Sequence, residues 1–179
     1  MKLYHGSNMS IGEIDLKRGR RGKDFGQGFY LSADLGQAQM MAERTVDREE
    51  SGKATLTTYL FDDSFLFSPS DLKVKVFEGY SKEWAEFIMM NRRNKTNIPA
   101  HDYDIVYGPI ADDKVGLQIS RYQLQYIPME ELIRQLSFIR PTFQYFFGTA
   151  RAISLLHKIE SNEYAGRARH TIPDRVSDE

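Results

Sequence analysis

Residues able to do chemistry concentrate in one stretch, Asp24 to Arg44, DFGQGFYLSADLGQAQMMAER, with Leu3-Tyr4-His5-Gly6-Ser7 at the start of the chain as its partner. Gly26 and Gly28 flank a turn whose missing side chains let backbone come close to another group, and Phe29-Tyr30-Leu31 then runs as a short strand. Ser32 or Asp34 caps the helix that follows, in which Leu35, Ala38, Met41 and Ala42 recur at the spacing of one helical face. A tyrosine is thereby fixed on a strand beside a glycine turn and a helix N-terminus with unpaired N–H groups. Those are the parts of a nucleotide pocket. The dinucleotide fingerprint itself is incomplete, because Leu31 stands where its third glycine belongs.

The rest of the chain must position that stretch. With 179 residues, 41% of them hydrophobic, it forms one domain with a real core. A formal net charge of -1 gives no global field for nucleic acid or an anionic membrane, so such binding would need a local patch. The absence of cysteine excludes disulfides, thiol catalysis and Cys-type zinc sites. No apolar signal region opens the chain and no run is long enough to span a bilayer, so the expected location is cytoplasmic, without a membrane partner.

In chain order, Ile11, Ile14 and Leu16 pack as the chain crosses the core, and a basic loop follows, Lys17-Arg18-Gly19-Arg20-Arg21-Gly22-Lys23. Its charges suit a pyrophosphate or an RNA backbone, although such runs are commonly just solvated. Ala54 to Phe61 reads as a strand, and Leu72, Val74 and Val76 alternate with lysines as a half-buried one. Ser81 caps a helix with Trp84, Phe87 and Ile88 on its core face, closed by Asn91, Arg92 and Arg93, whose cations complement the helix dipole. Tyr103 to Tyr107 is a short strand ended by Gly108-Pro109, with Asp102 and Asp104 as turn formers at its mouth. Asp112 to Leu124 reads as a helix, Pro128 opens another that carries Leu132, Ile133 and Leu136, and Phe143 to Phe147 is a buried strand. Thr149 then caps a final helix bearing Ile153, Leu156 and Ile159, and Ser161 to Glu179 is a polar, disordered tail beyond a domain of residues 1–160. Short strands separated by helices without regular alternation indicate an α+β fold.

Leu3-Tyr4-His5-Gly6-Ser7 and Phe25-Gly26-Gln27-Gly28-Phe29-Tyr30-Leu31-Ser32 resemble the first two signature segments of the His-Tyr-Glu branch of ADP-ribosyltransferases, which includes poly-ADP-ribose polymerases and diphtheria toxin. More closely, the chain is similar to a bacterial family of uncharacterised proteins placed within that superfamily. That similarity takes in Ile14-Asp15-Leu16, Asp24-Phe25-Gly26, Asn91-Arg92, Tyr103 to Pro109 and Gln144-Tyr145. The resemblance implies a split β-sandwich of two small, mostly antiparallel sheets around an NAD cleft, with helices outside and no metal. It makes NAD the co-substrate and His5, Tyr30 and Gln144 the catalytic set: His5 on the adenosine ribose, Gly6 holding the nicotinamide amide through its backbone, and Tyr30 stacking on the nicotinamide. Ser7, Asp24, Gly28, Phe29 and Ser32 complete the implied binding residues.

The chain departs from the superfamily at the third signature, where Phe143-Gln144-Tyr145 offers an amide in place of the catalytic glutamate. Glu163, in Asn162-Glu163-Tyr164, is a weaker rival for that role, and Glu43 weaker still. His101, His157 and His170 show no metal-ligand spacing. The resemblance thus implies a mono-ADP-ribosyltransferase acting on a protein or nucleic-acid acceptor, as a toxin or effector with a cognate antitoxin. Two other readings stand beside it: a non-catalytic NAD or ADP-ribose reader, and an RNA-binding protein using residues 17–23 with Phe25 and Phe29 as stacking platforms.

Overall fold

A computed structural model describes residues 1–68 and 70–164. Among the described residues, seven strands form two small sheets. In the first, β1 (Lys2–Ser7), β3 (Thr55–Leu60) and β7 (His157–Glu163) lie antiparallel with β3 in the centre. The second has the order β2 (Phe29–Leu31), β6 (Phe143–Phe147), β5 (Ile105–Pro109) and β4 (Val74–Val76), antiparallel except for the β4–β5 pair. The two sheets meet at a single bridge, where Tyr4 and Ser32 exchange both backbone hydrogen bonds. Splayed sheets joined at one point leave a cleft beside the joint. The α+β class and the paired small sheets are as the sequence implies.

All but one of the described α-helices begin at a side-chain cap. Asp34 accepts from the Gln37 amide at the start of α1 (Leu35–Glu49), Ser81 from Trp84 at α2 (Lys82–Arg93), and Asp112 from Lys114 and Val115 at α3 (Asp113–Gln123). Pro128 stands at the cap of α4 (Met129–Leu136) without a side-chain bond.

Alternation along the strands builds two cores. Leu3, Phe29, Leu31, Tyr59, Ile105, Tyr145 and Phe147 pack between the sheets. Phe25, Trp84, Phe87, Ile88, Val106 and Phe146 pack under α2, α3 and α4, and the half-buried Tyr30 joins this second group. Trp84 is fully buried and donates from Nε1 to the Pro109 carbonyl at 2.7 Å. Gly108 and Pro109 are the last two residues of β5, paired with Gln144 and Phe143, and end the strand as expected.

The chain's end differs most from expectation. The helix capped by Thr149, α5 (Ala150–Ile153), lasts one turn, and the chain then returns as β7 along β3. Ile159 is 46% exposed on that strand, so its side chain does not mark a buried helical face. Pairing supplies what the polar sequence lacks: β7 covers the open edge of β3, Ser161 and Thr57 hydroxyls meet at 2.7 Å, and Lys53 pairs with Glu163 at 2.9 Å. Order runs past the expected boundary at 160, for the Tyr164 amide donates to Ala54 and its hydroxyl to the Gln39 carbonyl. The remainder of the expected tail, with His170, lies outside the described residues. Among the described residues, no helix is long and apolar enough to cross a membrane.

Candidate active site

At the joint between the sheets opens a cavity of about 450 Å³ whose wall includes His5, Tyr30 and Gln144. Register explains the meeting. Tyr30 lies opposite Phe146, and Gln144 is two residues further along the same face of β6, a diagonal neighbour at roughly 7–8 Å between backbones. His5 arrives from the other sheet, one residue past the Tyr4–Ser32 bridge. Gly6, Ser7, Gly28, Phe29 and Ser32 line the same cavity.

His5 is held on two sides: its ring stacks on Phe29 at 4.4 Å, and Nδ1 lies 2.9 Å from the Tyr30 carbonyl oxygen. A carbonyl only accepts, so Nδ1 carries the proton and Nε2 presents a lone pair. Burial first, and the nearby Lys23 ammonium in addition, push the imidazole down to about 4 against the pull of the Tyr30 carbonyl. At neutral pH His5 is an uncharged acceptor.

The Tyr30 hydroxyl donates to the Gly26 carbonyl at 2.7 Å and accepts from the Phe25 amide at 3.0 Å. Burial raises its pKa well above the usual phenol value, which keeps it a donor. The Lys23 ammonium lies 4.8 Å from the centre of its ring. Lys23 itself is held below the usual lysine range by burial, then by Arg48 and Arg20. With Arg18 these cations line one side of the cavity, a ready seat for an anion. Of the acidic residues on the wall, Asp15 accepts from the Lys17 amide and Glu49 pairs with Arg48.

Gly6 is glycine because α1 presses on β1: a Cβ there would lie 1.9 Å from the Ala38 carbonyl oxygen. Ser7 is buried with only a long contact to Asn8, at 3.5 Å. Ser32 is committed to the start of α1, donating to Gln37 Oε1 at 2.5 Å and accepting from the Asp34 amide at 2.9 Å. Gln37 Nε2 is left buried without a partner on the cavity side of α1. Sequence reading missed it, although a glutamine three residues after the Asp34 cap is the capping-box position and was the available signal.

Asp24 stands outside this cavity, contrary to expectation. Its Oδ1 accepts from Arg92 Nε and its Oδ2 from the Ala111 amide, both at 2.7 Å, so it braces the loop against α2 and the β5–α3 connection. Arg92 is thereby a partner for Asp24 and more than a dipole cation. Asp104, expected as a turn former, is a buried carboxylate that accepts from the Lys73 amide, Thr149 and Arg151. Neither Glu43 nor Glu163 lines the cavity. Phe25 and Phe29 are 0% and 8% exposed, so the stacking platforms of the RNA reading are closed.

A family profile described as protein of unknown function (DUF3990) matches residues 1–158. The chain belongs to that DUF3990 family. No curated protein and no solved structure matches it. The matched region of this DUF3990 chain contains every residue of the cavity wall and stops two residues into β7.

Proposed function

We propose that this protein is an NAD-consuming mono-ADP-ribosyltransferase. The observation that carries the proposal is the convergence of His5, Tyr30 and Gln144, drawn from three distant segments, on one cavity with a cationic side. The residues suit the co-substrate: the volume lies in the range of ligand pockets, Arg18, Arg20, Lys23 and Arg48 match a pyrophosphate, and Gln37 Nε2 is a buried donor lacking an acceptor. His5 Nε2 accepts from a ribose hydroxyl, the Gly6 backbone holds the nicotinamide amide, and the Tyr30 face stacks on the nicotinamide once Lys23 swings toward the phosphates. These contacts hold the two halves of the dinucleotide about the bond between nicotinamide and ribose, and positioning does most of the work.

Gln144 accepts a ribose hydrogen bond but takes no proton. Losing the charge assistance costs about 1 kcal/mol, whereas losing a general base costs on the order of 10²-fold to 10⁴-fold in rate. The second effect dominates, so the enzyme makes single transfers to an acceptor that is already nucleophilic. Labelled NAD with a cell lysate tests this: label on a macromolecule and free nicotinamide, both lost in Tyr30→Ala, are expected. No release of nicotinamide by the wild type, or equal release by the variant, contradicts it.

A second reading, a non-catalytic reader of NAD or ADP-ribose, is favoured by Gln144 itself. Calorimetry showing micromolar NAD binding without turnover, and hydrolysis gained in Gln144→Glu, would select it.

A further inference from the structure

Across the 16–28 loop lies a larger cavity of about 670 Å³, which the proposed reaction does not use. The half-buried Tyr103 is the aromatic face it offers, with the fully buried rings of Phe25 and Phe146 packed behind, and the exposed Lys17 and Arg21 line it together with Asp102, whose charge is met by Lys73. On its wall is Asn91, 1% exposed, whose Nδ2 donates to the Phe87 carbonyl at 2.9 Å while its Oδ1 is buried without a donor. Native interiors rarely leave such an acceptor unpaired, which makes it a pointer to something that binds there.

Gly26 leaves room beside this buried acceptor that a side chain would fill. Its φ of +92° belongs to the left-handed region, and the Cβ it lacks would stand 3.0 Å from Asn91 Oδ1 and 3.7 Å from His101 Nε2. His101 is already committed, donating from Nε2 to the Phe25 carbonyl at 2.8 Å and accepting at Nδ1 from the Tyr103 amide at 3.1 Å. The unmet need is therefore for an N–H or O–H donor at the floor, with an anion at the mouth and an aromatic plane between.

We propose that this cavity is a second binding site, for a small anionic heteroaromatic of mononucleotide size. A ring N–H or amino group donates to Asn91 Oδ1, the ring packs against Tyr103, and a phosphate or carboxylate meets Lys17 and Arg21. The site is wired to the first one. The Gly26 carbonyl accepts from the Tyr30 hydroxyl, which also accepts from the Phe25 amide, so a ligand pressing on Gly26 and Phe25 changes the seat of the Tyr30 ring.

AMP, with adenosine as the uncharged control, is the probe for a titration of the ¹⁵N-labelled full chain followed by NMR. The expected result is a shift of the Asn91 side-chain amide and the Gly26 backbone amide, with adenosine binding about tenfold more weakly. Asn91→Leu loses the response. Lys17→Glu combined with Arg21→Glu, a surface change that spares the fold, weakens AMP about tenfold and leaves adenosine unchanged. Shifts confined to the His5 cavity, an unaltered response in Asn91→Leu, an AMP affinity indifferent to the charge reversals, or no shift at millimolar AMP would each overturn the proposal, the last leaving Asn91 Oδ1 to a buried water. None of these outcomes depends on NAD turnover.

Discussion

The two cavities share one wall, the 16–28 loop, and that wall shows each of them a different face. Toward His5 it turns Arg18, Arg20 and Lys23, beside a buried donor without an acceptor, Gln37 Nε2. Toward Asn91 it turns Phe25 and Gly26, beside a buried acceptor without a donor. One loop thus builds a charged pocket and an aromatic one, and the Tyr30 hydroxyl, bonded to Gly26 and Phe25, is the hinge-pin between them. The contrast teaches that a glycine-rich basic loop is not a single functional unit: successive short runs of it serve opposite sides.

Removing the hinge-pin should have the largest effect. Tyr30→Ala deletes the stacking face and the packing on Phe25 and Phe146, and nicotinamide release should fall by about 100-fold or more, with both cavities disturbed. Tyr30→Phe keeps the ring, so turnover measured by nicotinamide release should stay within several-fold. Equal losses in the two variants would break the distinction between ring and hydroxyl.

Asp24→Ala comes next. It strips the loop of its two anchors and leaves Arg92 half-committed, at a cost of roughly 2–4 kcal/mol in denaturant unfolding. A bracing role weakens ligands of both cavities together. Loss confined to NAD, with stability intact, would instead make Asp24 a dinucleotide contact.

His5 should leave a signature in the acid limb of stability. Its pKa of about 4 in the folded chain lies below the ordinary 6.5, so between those values the unfolded chain binds more protons. Stability should therefore be undiminished by this residue above pH 6.5, decline as pH falls through that window, and level off below about 4, a change of roughly 1–3 kcal/mol. His5→Asn should flatten this part of a pH series of melting temperatures. A wild-type curve that rises toward acid would contradict the neutral, buried imidazole.

The smallest change is expected from Gln144→Glu: a carboxylate with no neighbours placed to orient it should recover only about tenfold over the wild-type rate of NAD hydrolysis, out of the roughly 10²-fold to 10⁴-fold that a positioned base supplies. No gain would mean that the base is not what this cavity lacks.

Much of the fold was legible because its signals are local. Asp34, Ser81 and Asp112 announce their helices within four residues, and Trp84, Phe87 and Ile88 show their buried face by spacing alone. The return strand β7 was not, since HKIESNE has the polar composition of an end, and its order comes from pairing with Thr55–Leu60 a hundred residues earlier. The same holds at the site. His5, Tyr30 and Gln144 were found by resemblance, and their meeting follows from register that no local pattern carries. The place of Asp24 outside the cavity was not legible either, because its partners, Arg92 and Ala111, are distant in sequence. Asn91 was read as part of a helix end, because an unpaired oxygen has no sequence signature.

The most direct measurement is a crystal of the full chain soaked with NAD. The dinucleotide should lie along the wall formed by His5, Tyr30 and Gln144, with its pyrophosphate among Arg18, Arg20 and Arg48 and with Lys23 withdrawn from the Tyr30 ring. Density for NAD only in the Asn91 cavity, or a chain that binds no NAD while Lys23 keeps its place over Tyr30, would contradict the reading of this cavity as a dinucleotide site.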